Sequence, residues 1–206
     1  CLSVRFSQYT PRKFLRRSLE VVRHVQKGIP GFFNDDVIIE ALYRSGIEIE
    51  DAREYAVIGC VEICIPGKSN PHSVSARINM LKALEYALGN GRSIMNPHLK
   101  PGINTGDPSL FKSFNDLKEA VRKQMNHLID IACRQVNSAK RVSAKYDCLP
   151  YKSILTEGCI EKGKHFNEGG PKYNYYQFMI MGLPNLADSL EALRQFVYVN
   201  KQYSLT

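Results

Sequence analysis

A thiol and a carboxylate two residues apart, Cys60 and Glu62 in the quartet Gly59-Cys60-Val61-Glu62, follow directly on the apolar run Ala56-Val57-Ile58. If that run is a strand entering a short loop, both side chains face one way. At a rise of roughly 3.3 Å per residue their Cα atoms lie about 6 to 7 Å apart, so one small substrate touches both. A nucleophilic thiol and a general base then share a pocket. The plain alternative for Cys60 is an inert buried thiol, since free cysteine is among the most buried residue types. Glu62 beside an apolar strand needs a partner or a raised pKa, which suits a base. Cys64 falls on the same face in that geometry and reads as packing.

Weaker candidates surround this pair. His72 and Ser73 follow the turn Pro66-Gly67-Lys68 and are candidates to line a substrate pocket. Asn174 follows the Gly169-Gly170 turn as a candidate wall residue. His98 and His165 read as structural or exposed, and His24 and His127 fall within helical patterns. A second quartet, Gly158-Cys159-Ile160-Glu161, ends a helical pattern. Residues two apart on a helix diverge by about 200°, so Cys159 belongs to the core and Glu161 does not share its pocket. Cys60-x-x-x-Cys64 would need a third cluster ligand near Gly67. The metal reading therefore fails on ligand count.

Helices, short apolar strands and Gly/Pro turns must position these residues. Thr10-Pro11 caps a first helix carrying Phe14, Leu15, Leu19 and Val22. Ile29 to Phe33 reads as a short buried strand. Asn34 or Asp35 caps a second helix with the stripe Val37, Ile38, Ala41, Leu42, closed by Gly46. Ile78, Leu81, Leu84 and Leu88 predict a third helix, ended at Gly89-Asn90-Gly91. Residues 96–108 read as a loop or hairpin. Ser113 and Asp116 form a capping box opening the longest helix, expected to run to about Ser138. Lys152 to Lys162 and Pro184 to Tyr198 read as helices, and Tyr173 to Met181 as a strand. Alternating strands and helices imply an α/β architecture.

Composition excludes several classes. The chain has 206 residues, 44% of them hydrophobic, enough for a substantial core. No stretch approaches the roughly 20 apolar residues of a membrane span, and the N-terminal residues lack a signal peptide's apolar core. A cytoplasmic location is expected. The six cysteines are scattered rather than spaced as a disulfide framework. A net charge of +8 invites a nucleic-acid reading, but Arg12-Lys13, Arg16-Arg17 and Lys140-Arg141 sit where amphipathic helices place their solvated faces. No nucleic-acid or membrane partner is expected.

The stretches from Ile29-Pro30-Gly31-Phe32-Phe33-Asn34-Asp35-Asp36 through Arg53 to Glu62, with Pro66-Gly67-Lys68, Gly158 to Lys164, Gly169 to Asn174 and Ala187-Asp188-Ser189-Leu190, together resemble the catalytic core of the glycyl radical enzymes. The Gly-Cys-Val-Glu quartet is similar to that of the dehydratase, eliminase and decarboxylase branches; pyruvate formate-lyase itself carries two adjacent cysteines there. The family stores its radical on a glycine in a motif resembling Arg-Val-x-Gly-Tyr, and no such motif occurs between Cys1 and Thr206. The chain, which begins at Cys1, therefore reads as an internal fragment, residues 1–206 being one segment of the catalytic domain.

The resemblance implies part of a barrel built from two half-barrels and wrapped by helices, with the cysteine loop inside. It also implies a glycyl radical outside this chain, installed by an S-adenosylmethionine Fe–S activating enzyme, that oxidises Cys60 to a thiyl. No metal or organic cofactor is implied on this chain, and a homodimer is implied at full length. Cys60 would abstract a substrate hydrogen atom, and Glu62 would take the hydroxyl proton as a leaving group departs. The implied reaction is dehydration or elimination from a small hydroxylated molecule. An arylacetate decarboxylase or an inactive structural paralogue is the alternative. The family's diol dehydratases place an acid near the position of His72-Ser73-Val74-Ser75, and none occurs here. The chain alone is expected to be inert.

Overall fold

The computed structural model describes residues 2–26, 29–59, 61–71 and 74–205. In chain order its elements are β1 (Ser3–Phe6), α1 (Arg12–Val25), β2 (Gly31–Asn34), α2 (Asp35–Arg44), α3 (Ile49–Arg53), β3 (Ala56–Ile58), β4 (Glu62–Cys64), β5 (Ser69–Asn70), β6 (Ala76–Asn79), α4 (Leu81–Leu88), α5 (Phe114–Tyr146), α6 (Pro150–Ile154), α7 (Cys159–Lys162), β7 (Tyr173–Asn174), β8 (Phe178–Met181) and α8 (Leu183–Leu193). A π-type turn, Arg194–Val199, follows α8. The chain divides into two compact units, Cys1–Ser73 with Val142–Gln177, and Val74–Arg141 with Phe178–Thr206.

The first unit holds three two-stranded sheets: β1 with β2 and β5 with β7, both parallel, and β3 with β4, antiparallel. Its apolar centre is Ile47, Ala52, Tyr55 and Ile65, with Ile38, Ile39 and Leu42 of α2 packed against it. Helix α2 starts because the Asn34 side chain accepts the Asp36 N–H at 3.0 Å, satisfying a donor that has no partner within the helix. Val37, expected on the buried stripe, is instead 62% exposed. Helix α1 begins one residue later than the Thr10-Pro11 signal implies, with Pro11 as its cap. Its Phe14 and Leu19 are exposed.

The second unit pairs β6 with β8 in parallel and packs Met80, Leu84, Leu117, Val121 and Leu186 into one core. Ile78 lies in β6, not in the helix expected to contain it. An apolar residue three positions before a helical stripe matches either period. The expected capping box is present: Asp116 N–H donates to Ser113 Oγ at 3.2 Å and Ser113 N–H to Asp116 Oδ2 at 2.8 Å.

Three other expectations change. Helix α5 runs to Tyr146 instead of Ser138. Residues 152–162 form two short helices, α6 and α7, parted by Leu155 to Gly158. The single strand expected over Tyr173 to Met181 breaks at Tyr175 to Gln177 into β7 and β8, which pair with different strands. α/β content is therefore present, in separate two-stranded sheets.

Candidate active site

The hairpin of β3 and β4 carries the quartet. Ile58 stands opposite Glu62, with Gly59 and Val61 between them at turn positions. The strand expected over Ala56–Ile58 is present, and Glu62 opens the strand that pairs antiparallel with it. Cys60, His72 and Ser73 lie outside the described residues.

Gly59 has φ +57, a left-handed conformation that glycine adopts without a Cβ penalty. A Cβ there would stand 2.5 Å from Glu62 Oε2. The carboxylate is folded back over Gly59, where it accepts the Val61 N–H at 3.0 Å and is only 8% exposed. A buried carboxylate thus lies against residues 59 and 61 of the turn. Cys64 shares the Glu62 face of β4 by strand alternation and is buried, and burial pushes its thiol pKa up.

Side chains far away in sequence fix the hairpin. Ile63 N–H donates to Gln177 Oε1 at 2.9 Å, and Ile63 C=O accepts from Gln177 Nε2 at 2.6 Å and Tyr175 OH at 3.2 Å. Where the chain enters β3, the Arg5 guanidinium lies 3.8 Å from the Tyr55 ring centroid and donates to Tyr55 C=O and Arg53 C=O. Asp35 takes Arg5 Nε at 2.9 Å and Tyr55 OH at 2.6 Å. Burial opposes ionisation of Asp35, but its hydrogen bonds from Arg5 and Tyr55 hold its carboxyl below the usual value. Burial, then the bond to Asp35, pushes the Tyr55 phenol well up.

Asp51, which the sequence reading passed over, joins two of the motif segments. Nearly buried on α3, it accepts Lys172 Nζ at 2.8 Å, Lys68 Nζ, and Tyr173 OH at 2.7 Å. Hydrogen bonds from Lys172, then Lys68 and Tyr173, hold its carboxyl far below the ordinary range. Lys172 also reaches Glu48 at 2.6 Å, and its bond to Asp51 raises its pKa strongly. This cluster ties Pro66-Gly67-Lys68 to Lys172-Tyr173-Asn174, where β5 and β7 pair. No local spacing signals it, because Asp51 and Lys172 are 121 positions apart.

Asn174 is half-buried and donates to Pro171 C=O at 2.8 Å and Gly169 C=O at 3.4 Å, bracing the turn before it. Its Oδ1 is buried and accepts no hydrogen bond among the described residues. Gly170 allows a close backbone approach: a Cβ there would overlap Lys164 C=O and stand 2.7 Å from Cys159 Sγ. Cys159 is buried while Glu161 is exposed and accepts the Gly158 N–H, so the second quartet diverges as expected. His127 bonds Pro101 C=O and His165 bonds Ala144 C=O, both structural contacts. Among the described residues no three His, Cys, Asp or Glu side chains form a metal-binding group, and no helix is long and apolar enough to cross a membrane.

The chain is similar to known proteins. A family model described as "Pyruvate formate lyase-like" matches residues 1–206. The chain belongs to the pyruvate formate lyase-like family. Within this glycyl radical family it is 36% identical over 203 residues to trans-4-hydroxy-L-proline dehydratase of Clostridioides difficile, a match covering 98% of this chain and 25% of that protein. The glycerol-bound B12-independent glycerol dehydratase of Clostridium butyricum superposes with a TM-score of 0.87 at 34% identity, over 99% of this chain and 25% of its own. A glycyl radical enzyme of Archaeoglobus fulgidus gives a TM-score of 0.83 at 32% identity, over 98% and 25%. The chain spans about a quarter of the length of these pyruvate formate lyase-like relatives.

Proposed function

We propose that this chain supplies part of the catalytic core of a glycyl radical lyase that removes water or another leaving group from a small hydroxylated substrate. The observation that carries this reading is the buried Glu62 carboxylate folded back over Gly59 and held by the Val61 N–H. A base fixed against the turn next to Cys60 can act on the same small molecule as the thiol. The names of the relatives, dehydratases of hydroxyproline and glycerol, support the substrate class.

The residues present fit a radical-bearing thiol. Gly59 and Val61, the sequence neighbours of Cys60, lie between two paired strands and against the Glu62 carboxylate. A glycyl radical elsewhere in the full protein would supply the oxidising equivalent that makes Cys60 a thiyl. Cys60 then takes a hydrogen atom from the hydroxyl-bearing carbon, leaving a thiol and a carbon radical. Glu62 takes the hydroxyl proton, and the neighbouring leaving group departs with its bonding electron pair. The Cys60 thiol returns a hydrogen atom to the product radical. His72, Ser73 and Asn174 are proposed to line the substrate, Asn174 through Oδ1. A radical S-adenosylmethionine activating enzyme is the proposed partner, and the full-length protein is proposed to be a homodimer in the cytoplasm.

The test uses the full-length protein, activated anaerobically and offered trans-4-hydroxy-L-proline, glycerol and related hydroxylated molecules. Glu62→Gln lowers turnover by about 10² to 10⁴-fold, the range for a lost general base, with the radical signal in electron paramagnetic resonance retained. Cys60→Ala abolishes turnover. Undiminished turnover in either variant overturns the assigned role.

A further inference from the structure

Strand β4 is three residues long, and its partner β3 covers one edge only. Adjacent residues of an antiparallel pair alternate between bonding their partner and pointing their N–H and C=O outward. Ile63 is the outward residue, presenting both groups where a third strand would bond. That place is taken by the Gln177 side chain, with Tyr175 OH a further donor to the Ile63 C=O at 3.2 Å. Gln177 Oε1 accepts the Ile63 N–H at 2.9 Å, and Gln177 Nε2 donates to Ile63 C=O at 2.6 Å. A planar carboxamide offers one acceptor and a donor side by side, as a peptide group does. Its orientation is forced, because the Ile63 N–H needs an acceptor and the Ile63 C=O a donor. The second hydrogen on Nε2 reaches Pro71 C=O at 3.4 Å.

We propose that Gln177 is a positioning residue for Glu62, its carboxamide standing in for a missing strand and setting where the carboxylate sits. The inference rests on the reading of Glu62 as the base. Glu62 is bonded to Ile63, so anchoring the Ile63 peptide groups anchors the base from its C-terminal side, while the Val61 N–H holds its carboxylate from the other. Through Pro71 the same nitrogen also steadies the chain next to His72, a proposed substrate contact. A glutamate cannot fill the role when ionised, since both its oxygens accept and one would face the Ile63 C=O. When protonated it regains one donor beside one acceptor.

The experiment compares Gln177→Glu and Gln177→Leu in the activated full-length enzyme, with Glu62→Gln as reference. At neutral pH both Gln177 variants lose turnover by about 100-fold, the scale for displacing a catalytic group by about 1 Å, with the radical signal and thermal midpoint near those of the parent. The turnover of Gln177→Glu relative to the parent rises as pH falls and the introduced carboxyl takes up a proton. Gln177→Leu shows no such rise, and its Ile63 amide exchanges faster with solvent hydrogen. A purely structural role would instead lower the thermal midpoint of both variants in step with their turnover.

Unchanged Ile63 exchange in Gln177→Leu overturns the clamp, as does a flat pH ratio in Gln177→Glu. Parent-level turnover in Gln177→Leu alongside an inactive Glu62→Gln overturns the positioning role and leaves the base assignment standing. Full turnover in Glu62→Gln overturns the base assignment itself.

Discussion

A carboxylate can be held ionised in a nearly buried place only when donors replace the water it has lost, and Asp51 is the clearest case. Lys172, Lys68 and Tyr173 surround it. Its folded pKa lies below its unfolded value, so its contribution to stability is fully present above the ordinary carboxylate range. That contribution is lost as pH falls through the depressed value. Asp51→Asn is expected to cost about 2 kcal/mol at pH 7, less than the roughly 3 to 5 of a fully buried pair, because the Lys68 and Lys172 side chains remain 33% and 27% exposed. Urea unfolding at a series of pH values checks this: the gap between parent and variant shrinks on acidification, and a gap independent of pH would refute the assignment. None of these partners was legible beforehand. Asp51 follows the acids Glu48 and Glu50, and the three together resemble an ordinary solvated helix start.

At the scale of elements, the legible features were those whose cause is local. Asn34 caps α2, Ser113 and Asp116 box the start of α5, and Gly46, at φ +90, ends α2, each within a few residues of its partner. The errors came where distant groups decide. Helix α5 outlasts its apolar stripe, and near its end His165 Nε2 contacts Ala144 C=O and Asn167 Nδ2 donates to Asp147 C=O. Residues 96–107 form the irregular segment expected there, but no local spacing signals that Gln124, fully buried on α5, bonds it at Ile103 N–H and C=O and at Thr105 Oγ1. Gln124→Leu leaves those backbone groups unpaired and is expected to destabilise the chain by about 2 kcal/mol. Limited proteolysis should then cut within residues 93–107 before anywhere else. Cleavage there at the parent's rate would show that Gln124 is not what holds the segment.

For the molecule as a whole, each unit closes its own core, but the sheets within it are small. Parallel pairs are ordinarily covered on both faces, and an isolated two-stranded sheet is marginal in water. Helix α1 buries none of its residues, and its Phe14, Leu19, Val21 and Val25 are exposed. The 206-residue chain by itself is therefore expected to enhance the fluorescence of an apolar dye such as ANS. A signal no greater than that of a small globular control would contradict this.

The sequence by itself determined the family and the α/β content, because its motif segments, glycine turns and helix caps act over short spans. Only the tertiary structure decided that β3 pairs antiparallel with β4, that Glu62 folds back over Gly59, and that Asp51 and Gln177 grip the neighbouring segments. Those outcomes depend on hydrogen bonds across separations such as the 114 positions between Ile63 and Gln177, where spacing along the chain carries no information about distance in space.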